Sequence, residues 1–204
     1  MRVATALIAA GAVVAAGALA GCGSSGGATT TTPSFLGSVA NPPRPAPPLA
    51  LRDSLGHEVN IKDDLGKAVL VTFIYSHCPD TCPLIVANLR NVQAQLGPEA
   101  KNVRIIAVST DPVGDTPKAV NAFIKARRMT GRMEYLLGSK TQLARVWRAW
   151  GIKAQAAPKK VNPGLVSHSA LVYGISASGK LTTLYPSNFK PSVIVHDVPI
   201  LASE

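Results

Sequence analysis

The sequence predicts an α/β domain built on a mainly parallel sheet with helices packed against it. Three observations carry that expectation. Ala68 to Tyr75 is an unbroken apolar run of strand length, as expected of a central strand buried on both faces. It leads into a stretch whose apolar residues Ile85, Leu89, Val92 and Leu96 recur at helical spacing, closed by Gly97-Pro98. A second apolar strand, Val103 to Ser109, follows directly, so that strand, helix and strand alternate.

The flanking segments extend the pattern. Leu49 to Arg52 and Glu58 to Ile61 surround Asp53-Ser54-Leu55-Gly56 and read as an N-terminal hairpin. Thr116-Pro117 supplies a cap and a first-turn proline for a helix with Val120, Phe123, Ile124 and Arg127 along one face. Met133 to Leu137 reads as a short strand. Ser139 with Gln142 forms a capping box that opens a helix carrying Leu143, Val146, Trp147 and Trp150. His168 to Ile175 and Lys180 to Tyr185, joined by Ser176-Ala177-Ser178-Gly179, read as a hairpin. The last helix holds Ile194, Val195, Val198 and Leu201, and Pro199 is expected to bend or end it. This order is that of the thioredoxin-like class, with a strand and helix inserted at 133–150.

The N-terminal quarter does not read as core. Residues 1–21 carry one charge, Arg2, and a short apolar run, which marks a signal peptide rather than a membrane-crossing helix. The run ends in Leu19-Ala20-Gly21-Cys22, which resembles the lipobox of bacterial lipoproteins and implies lipid attachment at Cys22. Residues 22–48 pass from Gly/Ser/Thr-rich to Pro-rich sequence and are expected to be a flexible, then extended, tether, leaving 49–204 as the domain. The protein is thereby expected outside the cytoplasm, facing the periplasm or the cell exterior and held to a membrane by lipid. The chain has three cysteines, so assigning Cys22 to lipid leaves an even pair. Net charge is +10, but the basic residues are scattered apart from Lys125, Arg127, Arg128 and Arg132 at a helix end, and nucleic acid is not an expected partner of an exported protein.

The pair is Cys78 and Cys82, within Tyr75-Ser76-His77-Cys78-Pro79-Asp80-Thr81-Cys82-Pro83. This stretch lies at the carboxyl end of the buried strand, where open α/β sheets place their sites. Because Pro83 disfavours helical geometry at Cys82, the helix is expected to begin at Pro83, with both thiols on a loop at its N-terminus and both made more acidic there. The three intervening residues leave the sulfurs free to bridge or to grip one ion. Soft thiolates select copper(I), zinc or iron–sulfur iron, and imidazole also suits copper. Of the four histidines, His168 opens the late hairpin, whose entry faces the thiol loop in a thioredoxin-like sheet. His77 adjoins the pair but is the weaker candidate. His57 and His196 read as ordinary surface or core residues.

Three segments in order are similar to the Sco/SenC copper chaperones: Cys-Pro-Asp-x-Cys-Pro at Cys78 to Pro83, Ser-x-Asp-Pro-x-x-Asp-Thr-Pro at Ser109 to Pro117, and His168-Ser169 entering a strand. The resemblance spans about Leu49 to Leu201. It implies one copper ion per chain, Cu+ or Cu2+, on Cys78, Cys82 and His168, with Asp80 and Asp111 in support. It also implies delivery to the copper-A-bearing subunit of cytochrome c oxidase or another copper enzyme, with a thiol reductant as second partner. Two features depart from the family pattern: Ser167 stands where an Asp usually precedes the histidine, and Ser176-Ala177-Ser178-Gly179 replaces an Asp-x-x-Gly turn. A thiol-disulfide oxidoreductase acting on partner cysteines is the competing expectation, and it needs no His168. A thiol peroxidase fits poorly, because Tyr75 and Pro79 stand where a threonine should precede the reactive cysteine. A structural disulfide in an inert domain is the remaining alternative.

Overall fold

A computed structural model describes residues 34–156, 166–167 and 170–204. Strand β1 is Ser38–Pro45, β2 Ala50–Asp53, β3 Glu58–Asn60 and β4 Ala68–Ile74. Helix α1 (Thr81–Leu96), β5 (Val103–Ser109), α2 (Pro117–Ala126), β6 (Glu134–Leu137) and α3 (Lys140–Trp150) follow. The two-residue strands β7 (Gln155–Ala156) and β8 (Val166–Ser167) precede β9 (Leu171–Ile175), β10 (Lys180–Pro186) and α4 (Pro191–Ser203).

One eight-stranded sheet runs in the order β1-β10-β9-β4-β5-β6-β2-β3. β4 and β5 pair in parallel, as do β5 and β6, whereas β9 pairs with β4 in the opposite sense. All seven residues of β4 are buried, as the apolar run requires of a central strand. Its side chains alternate between two cores: Leu70 and Ile74 pack under α1, α2 and α4, and Val69, Val71 and Phe73 pack under α3 and the β2–β3 hairpin. The capping box of α3 is formed in both directions, with Ser139 N–H donating to Gln142 Oε1 at 2.9 Å and Gln142 N–H to Ser139 Oγ at 3.3 Å. The thioredoxin-like order, the N-terminal hairpin and the β6–α3 insertion are thus as expected.

Two expectations are corrected. The Pro-rich stretch assigned to the tether contains β1, an edge strand paired with β10 (Ser38↔Leu184, Pro45↔Lys180), so the sheet begins well before residue 49. Proline-rich extended chain and edge strand both lie in the broad extended region of backbone torsions, and an edge tolerates missing N–H donors. The register slips between Val39 and Arg44, the interval that holds Pro42 and Pro43. Its entry is fastened from far away in sequence: Asp197, fully buried on α4, accepts the N–H groups of Leu36 and Gly37 at 2.8 Å each and the Tyr185 hydroxyl at 3.0 Å. The strand expected from His168 is shorter, beginning at Leu171. Pro199 lies inside α4, which runs on to Ser203.

Candidate metal centre

The thiol loop leaves the end of β4 and enters α1, and its sulfurs are built into the start of that helix. An α-helix begins with four N–H groups that have no partner within it. Here Thr81 N–H is taken by the side chain of Asp80, the N-cap residue. Cys82 N–H donates to Cys78 Sγ at 3.3 Å. Pro83 has no N–H, and Leu84 N–H reaches the Asp80 carbonyl at 3.3 Å. The helix therefore starts at Thr81, two residues before the expected Pro83, and Cys82 lies in its first turn. A proline in a first turn costs no intrahelical bond, which removes the reason for delaying the start.

This arrangement divides the two thiols, contrary to the expectation that both are made acidic. Cys78 is lowered from 9.0 to about 5, chiefly by the hydrogen bond from the Cys82 thiol, helped by N–H groups of Cys82 and Asp80 and by the Tyr75 side chain, against burial. Cys82 is pushed far upward because its proton is held by Cys78 and its burial disfavours charge; the Asp115 carboxylate adds to this. Cys78 is thus a thiolate and Cys82 a thiol at neutral pH. Both are buried and uncrosslinked.

Asp80 acts on the helix more than on the sulfur. Its carboxyl caps Thr81, whose N–H holds it below the usual carboxylate range, while its Oδ1 lies 4.0 Å from Cys78 Sγ. Asp111 folds its own turn, with Oδ1 accepting the N–H groups of Val113 (3.1 Å) and Gly114 (3.0 Å). A Cβ on Gly114 would stand 2.2 Å from Asp111 Oδ2 and 3.4 Å from His77 Nδ1, so glycine there lets the turn lie against both groups. His77 is exposed and bonds Ser76 Oγ through Nδ1 at 3.1 Å. His57 pairs with Asp53 on the β2–β3 hairpin (3.1 Å), and His196 lies 2.8 Å from Asp197 on α4; neither belongs to the thiol loop. His168 and Cys22 lie outside the described residues. Strand β9 begins beside the end of β4, with Thr72 opposite Val172 and Thr72 Oγ1 donating to the Leu171 carbonyl at 3.0 Å. Sequence reasoning missed the group beneath the loop, where Ser76, Ser109 and Tyr135 converge on Asp115. Ser109 opens the Ser109 to Pro117 segment and Asp115 is its second aspartate, after Asp111, which was the available signal.

A model of the SCO1/SenC family matches residues 40–203. The chain belongs to the SCO1/SenC family. Among its relatives, the mitochondrial SCO2 homolog of Bos taurus is 32% identical over 126 residues, covering 60% of this chain and 47% of that protein. The chain spans about half the length of the curated relatives it matches first. Among solved structures, ScoI of Bradyrhizobium japonicum with copper bound is 28% identical with a TM-score of 0.68, covering 76% of this chain and 97% of that one. Apo Sco1 of Thermus thermophilus is 28% identical with a TM-score of 0.71, covering 84% and 99%. As a SCO1/SenC protein, the chain carries the family's Cys-Pro-Asp-x-Cys-Pro loop at the start of α1, at the carboxyl edge of a thioredoxin-like sheet.

Proposed function

We propose that this SCO1/SenC protein carries one copper ion on Cys78, Cys82 and His168 and delivers it during assembly to the copper-A centre of cytochrome c oxidase or to another copper enzyme. The observation that carries this reading is the preformed thiol pair at the start of α1, with the backbone N–H of Cys82 donating to Cys78 Sγ at 3.3 Å. Copper is the cargo here, and two sulfurs suit copper(I). Among the described residues no three His, Cys, Asp or Glu side chains cluster to hold a metal. His168 is the third donor through the family resemblance, and the similar ScoI of Bradyrhizobium japonicum is described with copper bound.

Loading is stepwise on this reading. The Cys78 thiolate captures the ion, the Cys82 proton then leaves, and the second sulfur closes on the metal. The Leu19 to Cys22 motif supports a lipid anchor outside the cytoplasm, and no described helix is long and apolar enough to cross a membrane. Titration of the protein with copper(I) and copper(II), against His168→Ala, tests the reading. Losing the imidazole weakens copper(II) more than copper(I), because copper(II) prefers nitrogen or oxygen donors. Unchanged copper(II) affinity and an unchanged thiolate-to-copper absorption band remove His168 from the site.

The division of the thiols also favours a second reading, a thiol-disulfide oxidoreductase in which Cys78 attacks and Cys82 resolves. Turnover of a disulfide substrate by His168→Ala at the wild-type rate, with no copper bound by wild type, selects it.

A further inference from the structure

Beneath the thiol loop sits a carboxylate that neither the metal reading nor the helix cap employs. Asp115, 6% exposed, lies on the turn between β5 and α2. Its Oδ1 accepts the backbone N–H of Ser76, two residues before Cys78, at 2.8 Å. Its Oδ2 accepts the Ser109 hydroxyl at 2.6 Å. The same oxygen lies 3.0 Å from the Tyr135 hydroxyl, whose single proton is shared with the Ile74 carbonyl at 3.1 Å. Ser109 Oγ in turn accepts Asp111 N–H at 3.1 Å, and Asp115 N–H reaches the Asp111 carbonyl at 3.0 Å. One side chain thereby joins the ends of β4, β5 and β6 to the turn that carries Asp111.

Burying a carboxylate is costly unless its oxygens are bonded, and among the described residues no Lys, Arg or His forms an ion pair with this one. Its bonding comes instead from groups that border the thiols. A serine or threonine in its place would reach one of these donors; a carboxylate reaches all three, because its two oxygens accept along several directions.

We propose that Asp115 is the positioning residue of the thiol loop, its buried carboxylate locking the backbone that enters Cys78 to the Asp111 turn so that the two sulfurs keep a fixed spacing for the ion. The consequence for metal carriage rests on the copper reading above; the locking itself concerns the thiols alone. Positioning of this kind matters because ligands held by packing and outer hydrogen bonds keep their geometry, whereas a loop left loose does not.

The test uses Asp115→Asn in the full chain with two measurements. Cys82 is fully buried, so its alkylation rate under native conditions reports opening of the loop. Asp115→Asn is expected to raise that rate by at least about tenfold, and by more than its global unfolding equilibrium changes. The thiolate-to-copper(II) band is expected to broaden or shift. If Cys82 stays as protected as in wild type, or is exposed only in proportion to lost global stability, Asp115 is a structural residue and the proposal is overturned. Should Asp115→Asn fail to fold, the Ser109→Ala/Tyr135→Phe variant keeps the carboxylate and strips two of its donors, and the same two alkylation outcomes decide. Wild type that binds no copper overturns the copper reading and leaves the alkylation comparison to judge the locking.

Discussion

Replacing Cys82 by alanine removes the donor that does most to acidify Cys78, and the size of the effect follows from the site. Cys78 stands at about 5 where an ordinary thiol stands at 9.0. At pH 7 that is about 99% thiolate against about 1% for an unperturbed thiol, roughly a hundredfold. A single alkylation rate at pH 7 would nevertheless show little, because intrinsic nucleophilicity falls with acidity at a Brønsted slope of about 0.4–0.5, a loss of roughly 40- to 100-fold over the same interval. The two effects nearly cancel, so the informative quantity is the midpoint of the pH–rate profile. In Cys82→Ala the burial that opposes ionisation remains, balanced only by the N–H groups of residues 82 and 80 and the Tyr75 side chain, so the midpoint moves up from about 5. The assay is alkylation of Cys78 across pH in the metal-free protein, with thiolate absorbance as a second readout. A midpoint that stays near 5 refutes the assignment of the acidity to Cys82. The same shift makes stability depend on pH. A thiol lowered on folding stabilises the fold most above its ordinary value of 9.0, and that contribution fades as pH falls toward about 5. Cys82, raised on folding, contributes in full below 9.0, so the metal-free domain gains stability from this pair as pH rises from 5 to 9, and Cys78→Ser flattens the gain.

Copper(I) loading at pH 7 releases about one proton per chain, from Cys82, because Cys78 has already lost its own; calorimetry in buffers of different ionisation enthalpy measures it, and release of about two contradicts the division of the thiols. Asp197→Ala strands the N–H groups of Leu36 and Gly37 and costs about 3 kcal/mol or more, with exchange protection lost across Ser38–Pro45 before β4; equal protection in variant and wild type contradicts the clasp. Cys22→Ser abolishes lipid attachment and membrane retention in a host that processes lipoproteins, and mass spectrometry that finds an unmodified Cys22 in the mature wild-type protein removes the anchor.

Much of the fold was legible because its signals are local. The buried run at Ala68, the four-residue rhythm of Ile85 and Leu89, and the Ser139/Gln142 box each depend on neighbours within one or two helical turns. The address of the thiols at a strand end was legible for the same reason, and three ordered motifs pointed to the family. Proline misled twice. In Pro42 and Pro43 it reads as tether because extended tether and edge strand both lie in the broad extended region of backbone torsions, and the β10 partner distinguishes them. At Pro83 it reads as a helix start, although the N–H it lacks is one the first turn does not use.

From the sequence alone came the α/β class, the residues Cys78 and Cys82, and the expectations of His168 as their partner and of an export and lipid signal ending at Cys22. The tertiary structure decided how unequal the two thiols are and what holds them. Cys78 is acidic because the Cys82 thiol and N–H close on its sulfur, a matter of ångströms within one turn that residue spacing does not specify. Asp115 bonds Ser76 from 39 residues away and Asp197 bonds Leu36 from 161, and such bonds exist only once the strands have taken their register. A buried carboxylate looks like any surface aspartate in a sequence, because its significance lies in the donors that folding gathers around it.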